Sequence, residues 1–291
     1  MTKGPPSPKD VITTRLFGGA GNQLFQYASA RALADHVVCD LALDTRYVAG
    51  SDDRGDCFAH FQHARLRRDV DLPPSKEHAM RYAMWRTLGT NPRFHRERGL
   101  GFDPGFFNLQ SGTYLHGYWQ SERYFSDIQN QLRDDLAFTT PLDNANAGMA
   151  QQIADAPNAI AVHVRRGDYV AIGSYAACTP EYYRGGTTYI SDQLNAPLTC
   201  FVFSNDPQWA SDNLALGHET IIVDINDETT GHFDMHLMSL CDHNVIANST
   251  FSWWGAWLND HSDKIVVAPK AWFAKNKLSN PDLLPPSWIQ L

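Results

Sequence analysis

The sequence predicts an α/β fold built on parallel strands, and two features predict it. Short buried-type runs at Ala159–Val164, Thr199–Ser204, Thr220–Ile225, His243–Ala247 and Lys264–Ala268 alternate with helical candidates at Glu181–Gln193, Pro207–Ala215, Asp234–Leu240 and Phe251–Leu258. Strands that alternate with helices call for a parallel sheet covered on both faces. The chain also opens on the same kind of unit, a strand followed by a glycine turn and a helix.

That opening strand is Val11–Phe17. It runs into Gly18-Gly19-Ala20-Gly21, after which Asn22–Asp35 has helical spacing, with Leu24, Tyr27, Ala28 and Leu33 toward one face. The turn is no dinucleotide fingerprint, because GGAGNQL lacks the third glycine of GxGxxG. From Tyr47 to Gly112 the chain is rich in Arg, His, Pro and aromatic residues without sustained period, which predicts short helices and long loops. The polar stretch Thr139–Pro157 is the linker candidate. It divides the chain into residues 1–155, an N-terminal α/β domain with the glycine turn, and residues 156–291, a C-terminal α/β domain.

Composition narrows the function classes. With 291 residues, 43% hydrophobic and 19% charged, the chain can build full cores, and a net charge of −8 argues against a nucleic-acid coat. Met1–Lys9 lacks the apolar run of a signal peptide and no stretch suits a membrane span, so a cytoplasmic protein is expected. Cys39, Cys57, Cys178, Cys200 and Cys241 are scattered without CxxC spacing and read as free thiols of a reducing compartment.

In an open parallel sheet, ligands sit outside the carboxyl ends of the strands. Three such ends here are polar. His163-Val164-Arg165-Arg166-Gly167-Asp168 places His163 and Arg165 on one side of a strand, where a guanidinium can grip a diphosphate with two prongs. A structural Arg–Asp pair fits that segment equally. Ser204-Asn205-Asp206 either contacts a nucleotide or caps the helix that begins at Pro207. Asn248-Ser249-Thr250 opens another helix, whose N-terminus favours anions, though a plain cap is the default. Together the three shift the reading toward a nucleotide-diphosphate pocket.

Other chemistries find less support. Asp69-Val70-Asp71 is a literal DxD, yet it lies beside Arg67 and Arg68, where a local charge pair is the simpler reading. The 12 histidines include no HExxH, and neither GxSxG nor a P-loop occurs. Among the eight tryptophans, Trp253, Trp254 and Trp257 suit a helix core, whereas Trp119, next to Gln120, can stack on a sugar ring.

FGGAGNQLFQYASARALA at 17–34, GYWQSERYF at 117–125, HVRRGDYV at 163–170, FVFSND at 201–206 and DMHLMSLCDHNVIANSTFSWWGAWLN at 234–259 resemble, in order, the blocks of the α-1,2-fucosyltransferase family, glycosyltransferase family 11. The resemblance implies a GT-B-like architecture, two Rossmann-like domains facing across a cleft. It implies a GDP-β-L-fucose donor bound by the C-terminal domain, an acceptor bound on the N-terminal side, inversion to an α-linked product and no divalent metal or other cofactor. In that scheme Arg165 holds the β-phosphate, supported by His163 and Arg166. Gly19, Gly21 and Asn22 close over the pyrophosphate, and Asp206, Asp234, Ser249, Thr250 and Phe251 line the nucleotide. Trp119 and Gln120 face the acceptor, and Asp168 is either the general base or a partner that orients the arginines. The expected acceptor is a galactose-containing oligosaccharide or a lipid-linked glycan precursor, met at the inner membrane face through the basic segment Arg65–Arg98. Another GDP-6-deoxy sugar, another hexose acceptor and a catalytically silent nucleotide-sugar-binding protein are the competing readings.

Overall fold

Val11–Arg15 is buried at all five positions, which makes it a central strand, β1, of a sheet covered on both sides. The computed structural model describes residues 11–48, 57–62, 66–67, 70, 72–88, 92–166, 178–273 and 278–291. The chain divides into two compact units. One is Met1–Ala137 with Asn280–Leu283, and the other is Phe138–Ser279 with Leu284–Leu291.

In the first unit β1 joins β2 (Asp40–Asp44), β3 (Leu66–Arg67), β4 (Arg93–Arg96) and β5 (Thr113–His116) in the order β3-β2-β1-β5-β4. Every pairing is parallel. The chain works outward from β1 to β3 and resumes on the far side with β4 and β5, so the winding reverses between β1 and β5. Helix α1 (Ala20–His36) follows β1 through Gly18, whose φ of +81° is open to glycine at little cost. The helix is buried almost all round rather than on one face, and its polar residues are matched internally. The Gln26 side chain accepts from the Phe17 N–H at 3.0 Å and donates to the Phe17 carbonyl at 3.2 Å. Gln23 donates to the Gly18 carbonyl at 3.0 Å. These glutamines therefore lock the glycine turn. The opening motif is as much a structural clasp as a ligand loop. Helix α2 (Ala79–Leu88) packs Tyr82 and Trp85 against Phe94 and Tyr114, and α3 (Gln129–Asp135) supplies Asp135, which accepts from Tyr27 and Arg31.

The span 47–112, expected to be short helices and loops, thus holds two strands and a ten-residue helix. β4 reads Arg-Phe-His-Arg with both ends exposed, an edge strand too short to show a period.

The second unit starts with α4 (Asn144–Asp155), inside the stretch expected to be a linker. Asp143 caps it by accepting from the Asn146 N–H at 2.8 Å, and Asn146, Met149 and Ile153 form a buried stripe at helical spacing. Of the residues that suggested a linker, Asn144 and Gly148 lie on the exposed side of this helix, Asn146 is buried in it, and Pro141 and Pro157 flank it. Then come β6 (Ala159–Val164), α5 (Pro180–Leu194), β7 (Thr199–Ser204), α6 (Pro207–Asn213), β8 (Glu219–Val223), α7 (Gly231–Leu240), β9 (His243–Val245), α8 (Thr250–Leu258), β10 (Val266–Ala268) and β11 (Ile289–Gln290). The strand order is β11-β10-β9-β6-β7-β8, again parallel throughout. Here the winding reverses between β6 and β9. Trp253, Trp254 and Trp257 are core residues of α8, as the sequence suggested. All five cysteines are free thiols. No helix among the described residues is long and apolar enough to cross a membrane.

Candidate active site

The reversal between β6 and β9 collects the polar strand ends of the second unit. β6 is buried along its length and delivers His163, 6% exposed, just ahead of Arg165 and Arg166. Burial, helped by the positive charge of Arg165, pushes the His163 pKa down to about 3, so the ring is neutral. Its Nδ1 meets no hydrogen-bond partner among the described residues, and its centroid lies 5.7 Å from that of Phe251.

Arg166 is held from the β7 side. Its backbone N–H donates to Asn205 Oδ1 at 2.9 Å, its Nε lies 3.8 Å from Asp206 Oδ2, and its guanidinium sits 3.8 Å from the Trp209 ring centroid. Asp206 also caps α6, accepting from the Trp209 N–H at 3.2 Å. Of the two readings of this segment, the cap is present, and Asp206 also lies beside Arg166. Sequence reasoning missed Trp209, because nothing local marks the third residue of a short helix as a platform for an arginine.

On the β9 side Ser249 caps α8 by accepting from the Phe251 N–H at 3.3 Å, and Thr250 and Phe251 form the first turn. The buried Asn248 donates to the Trp272 carbonyl at 2.9 Å, which fixes the approach to this helix end. Asp234, on α7, accepts from Asn226 Nδ2 at 2.7 Å, and Asn226 is paired with Asn146 of α4 through bonds of 3.0 and 2.9 Å. Burial drives the Asp234 pKa up to about 6, with the negative charge of Asp224 adding to it and the Asn226 bond opposing it. Asp168 and Gly167 lie outside the described residues, as do Asp69 and Asp71.

In the first unit, Gly19 is the N-cap position of α1, Gly21 is buried in its first turn, and Asn22 Oδ1 accepts from Gln120 Nε2 at 2.9 Å. A Cβ at Gly19 would meet no atom of the described residues within 4 Å. Trp119 does not present a face to a sugar as expected. It is 1% exposed, packed against Phe106, Tyr124 and His95, with φ at 55°. Glu97 fixes this turn by accepting from the Tyr118 and Trp119 N–H groups at 2.7 and 2.9 Å. The strained backbone turns the indole inward and leaves Gln120 to bond Asn22.

Two guanidinium groups and a capped helix N-terminus at the reversal of a parallel sheet suit an anionic leaving group. The pair of parallel α/β sheets is that of a GT-B-like glycosyltransferase. It recurs in the NodZ α-1,6-fucosyltransferase of Bradyrhizobium, solved after soaking with GDP-fucose. The TM-score is 0.53 at 14% identity, over 86% of this chain and 92% of that one. The profile of glycosyl transferase family 11 matches residues 96–291, and the chain belongs to that family. It is 31% identical over 296 residues to an α-1,2-colitosyltransferase of Escherichia coli, spanning 97% of this chain and 99% of the relative. To galactoside α-(1,2)-fucosyltransferase 1 of Homo sapiens it is 26% identical over 268 residues, 87% of this chain and 67% of that protein.

Proposed function

We propose that this glycosyltransferase moves L-fucose from GDP-β-L-fucose to O2 of a β-galactoside, with inversion, giving an α-1,2 linkage. The observation that carries the reading is the polar rim at the β6–β9 reversal, where Arg165 and Arg166 follow β6 and the α8 N-terminus follows β9. As the glycosidic bond to phosphate breaks, GDP departs with growing negative charge while the sugar ring becomes oxocarbenium-like. Arg165 and the N–H groups opening α8 meet that charge, so the scheme needs no divalent ion. One such preorganised donor contributes on the order of 2.7–4 kcal/mol to the transition state. Neutral His163 packs beside Phe251 and keeps the pocket wall free of a further positive charge. Asp206, Asp234, Ser249, Thr250 and Phe251 take the nucleoside side. The acceptor hydroxyl gives its proton to a carboxylate, for which Asp168 is the first candidate and orientation of the arginines its alternative role.

A second reading is favoured by the relative in Escherichia coli, which is named for colitose, a fucose lacking its 3-hydroxyl. A donor pocket that grips GDP would serve both sugars.

The test is release of GDP from GDP-fucose and GDP-colitose, with EDTA present, against a panel of β-galactosides, with the product linkage read by NMR. Acceptor-dependent release from GDP-fucose and an α-1,2 product support the reading. Release from GDP-colitose alone moves the donor, and GDP binding without release from either donor makes the chain a silent binder. Asp168→Asn should lower kcat with GDP affinity intact. Weakened GDP binding instead would make Asp168 the partner that orients the arginines.

A further inference from the structure

The reversal in the first unit carries a cationic cluster that the donor chemistry does not use. Arg15 ends β1 and His116 ends β5, and the register that pairs Thr14 with Leu115 sets them side by side. Arg15 is 1% exposed. Its Nε donates to the Tyr114 hydroxyl at 3.0 Å and its Nη2 to the Tyr82 hydroxyl at 2.8 Å, while its Nη1 finds no partner among the described residues. Among the described residues no carboxylate forms an ion pair with it. Buried Asp44 reaches it only through Tyr114, whose hydroxyl donates to Asp44 at 2.5 Å, and two Arg46 bonds of 2.8 Å already neutralise that carboxylate. Glu97 is turned away toward the Tyr118 and Trp119 N–H groups.

Around this fixed guanidinium stand exposed cations. The Lys76 ammonium is 5.6 Å from the Tyr47 centroid and Arg15 covers the same ring at 4.1 Å. Arg86 lies 4.8 Å from the Phe94 centroid, Phe94 stacks on His116, and Arg96 pairs with His116 in the β4–β5 register. Burial first, then the charges of Arg15, Lys76, Arg96 and Arg86, hold the His116 pKa down to about 4. A buried charge without a counterion is costly, and the carboxyl-end reversal of an open sheet is where such folds take ligands. Four cations exceed what a single carboxylate would need, and the donor's diphosphate already has Arg165 in the other unit.

We propose that Arg15, His116, Lys76, Arg86 and Arg96 form a subsite for a phosphate or diphosphate ester carried by the acceptor. The proposal rests on the glycosyl-transfer reading above, and it narrows the acceptor to a phosphorylated glycan.

Arg15→Met would strip two buried phenols of their donor and put the sheet at risk, so the test replaces the exposed cations in a Lys76→Ser/Arg86→Ser/Arg96→Ser variant. Inorganic pyrophosphate is titrated into GDP-saturated protein in phosphate-free buffer. Transfer is then compared between a short-chain alkyl galactoside and the same galactose carried on an alkyl diphosphate. We expect pyrophosphate to bind beside GDP and to bind about tenfold more weakly to the variant, from the loss of charge-assisted contacts. The diphosphate acceptor should show a KM about tenfold below that of the neutral one, a ratio that collapses toward one in the variant. The subsite is overturned if pyrophosphate does not bind the GDP-loaded protein, or if the acceptor preference survives in the variant. Equal use of both acceptors, with loss only of binding to anionic phospholipid vesicles, overturns it in favour of a membrane-headgroup patch. Pyrophosphate binding that the variant weakens, without transfer to either acceptor, upholds the anion site and sinks the transferase reading instead.

Discussion

The Gln120 side chain donates to Asn22 Oδ1 at 2.9 Å across 98 residues of sequence, tying the turn after β5 to the head of α1. The Gln120 carbonyl is held in turn by Asn280 Nδ2 at 2.8 Å. Gln120→Ala should cost about 1 kcal/mol of stability, the net worth of one such bond, measured by urea unfolding. Because it also removes the Gln120 bond from Asn22 at the head of α1, transfer should fall by about tenfold, equivalent to 1.4 kcal/mol. Full transfer at reduced stability would confine the pair to a structural role.

The two arginines after β6 should behave differently. Arg166 rests on Trp209 and near Asp206, partly exposed, so Arg166→Ala should lose about 0.5–1 kcal/mol of stability with a modest kinetic effect. Arg165→Ala should leave the fold intact and lower kcat by about 10²–10³-fold, the cost of removing one donor to a developing anion. Thermal melts and single-turnover rates on both variants decide this. Equal kinetic losses would bring Arg166 onto the donor.

Much of the second unit was legible because its strands are hydrophobic and its helix starts carry standard caps. Ala159–Val164 and Thr199–Ser204 fall where expected, and Asp206 and Ser249 cap as their residue types predict. In the first unit the signal is weaker because the strands are short and polar. Arg15 and Asp44 look like surface residues in sequence and are buried only because each finds phenols or an arginine from distant segments. Trp119 misled for a related reason. Its inward turn depends on Glu97, which is remote in sequence, and on backbone at positive φ. Long-range polar pairing of this kind leaves no local period to read.

Asp234 gives a pH signature. Its folded pKa of about 6 lies above the ordinary aspartate value of 3.8, so the folded state binds the proton more tightly than the unfolded chain. The sign follows from linkage: this contribution is full at low pH and is lost as pH rises through 6. Asp234→Asn should therefore gain on the wild type by roughly 1 kcal/mol between pH 5 and pH 7. Denaturation of both proteins at those two pH values checks it, and a constant difference would sink the assignment. His163 works in the opposite direction. Its depressed pKa contributes stability above the unfolded value of 6.5 that is lost as pH falls toward 3, so the pH dependence must be read as a difference between the two proteins.

Gly185 and Gly186 are neighbours on α5 with opposite expectations. A Cβ at Gly185 meets no atom of the described residues within 4 Å, so Gly185→Ala should gain up to about 1 kcal/mol from helix propensity alone. At Gly186 the same atom would lie 2.8 Å from Val245 Cγ1 and 3.4 Å from Val267 Cγ1. Val245 and Val267 are both 0% exposed, held in strands β9 and β10, and have no space to retreat into. Gly186→Ala should therefore lose about 1–3 kcal/mol despite the better helix former. The strain falls on β9, whose chain continues to Ser249 and Thr250, so GDP affinity should fall as well. Val245→Ala makes room for the new methyl, and combining it with Gly186→Ala should cost less than the two separate losses added together. Additive losses would show that the helix shifts as a body instead of pressing on that one side chain.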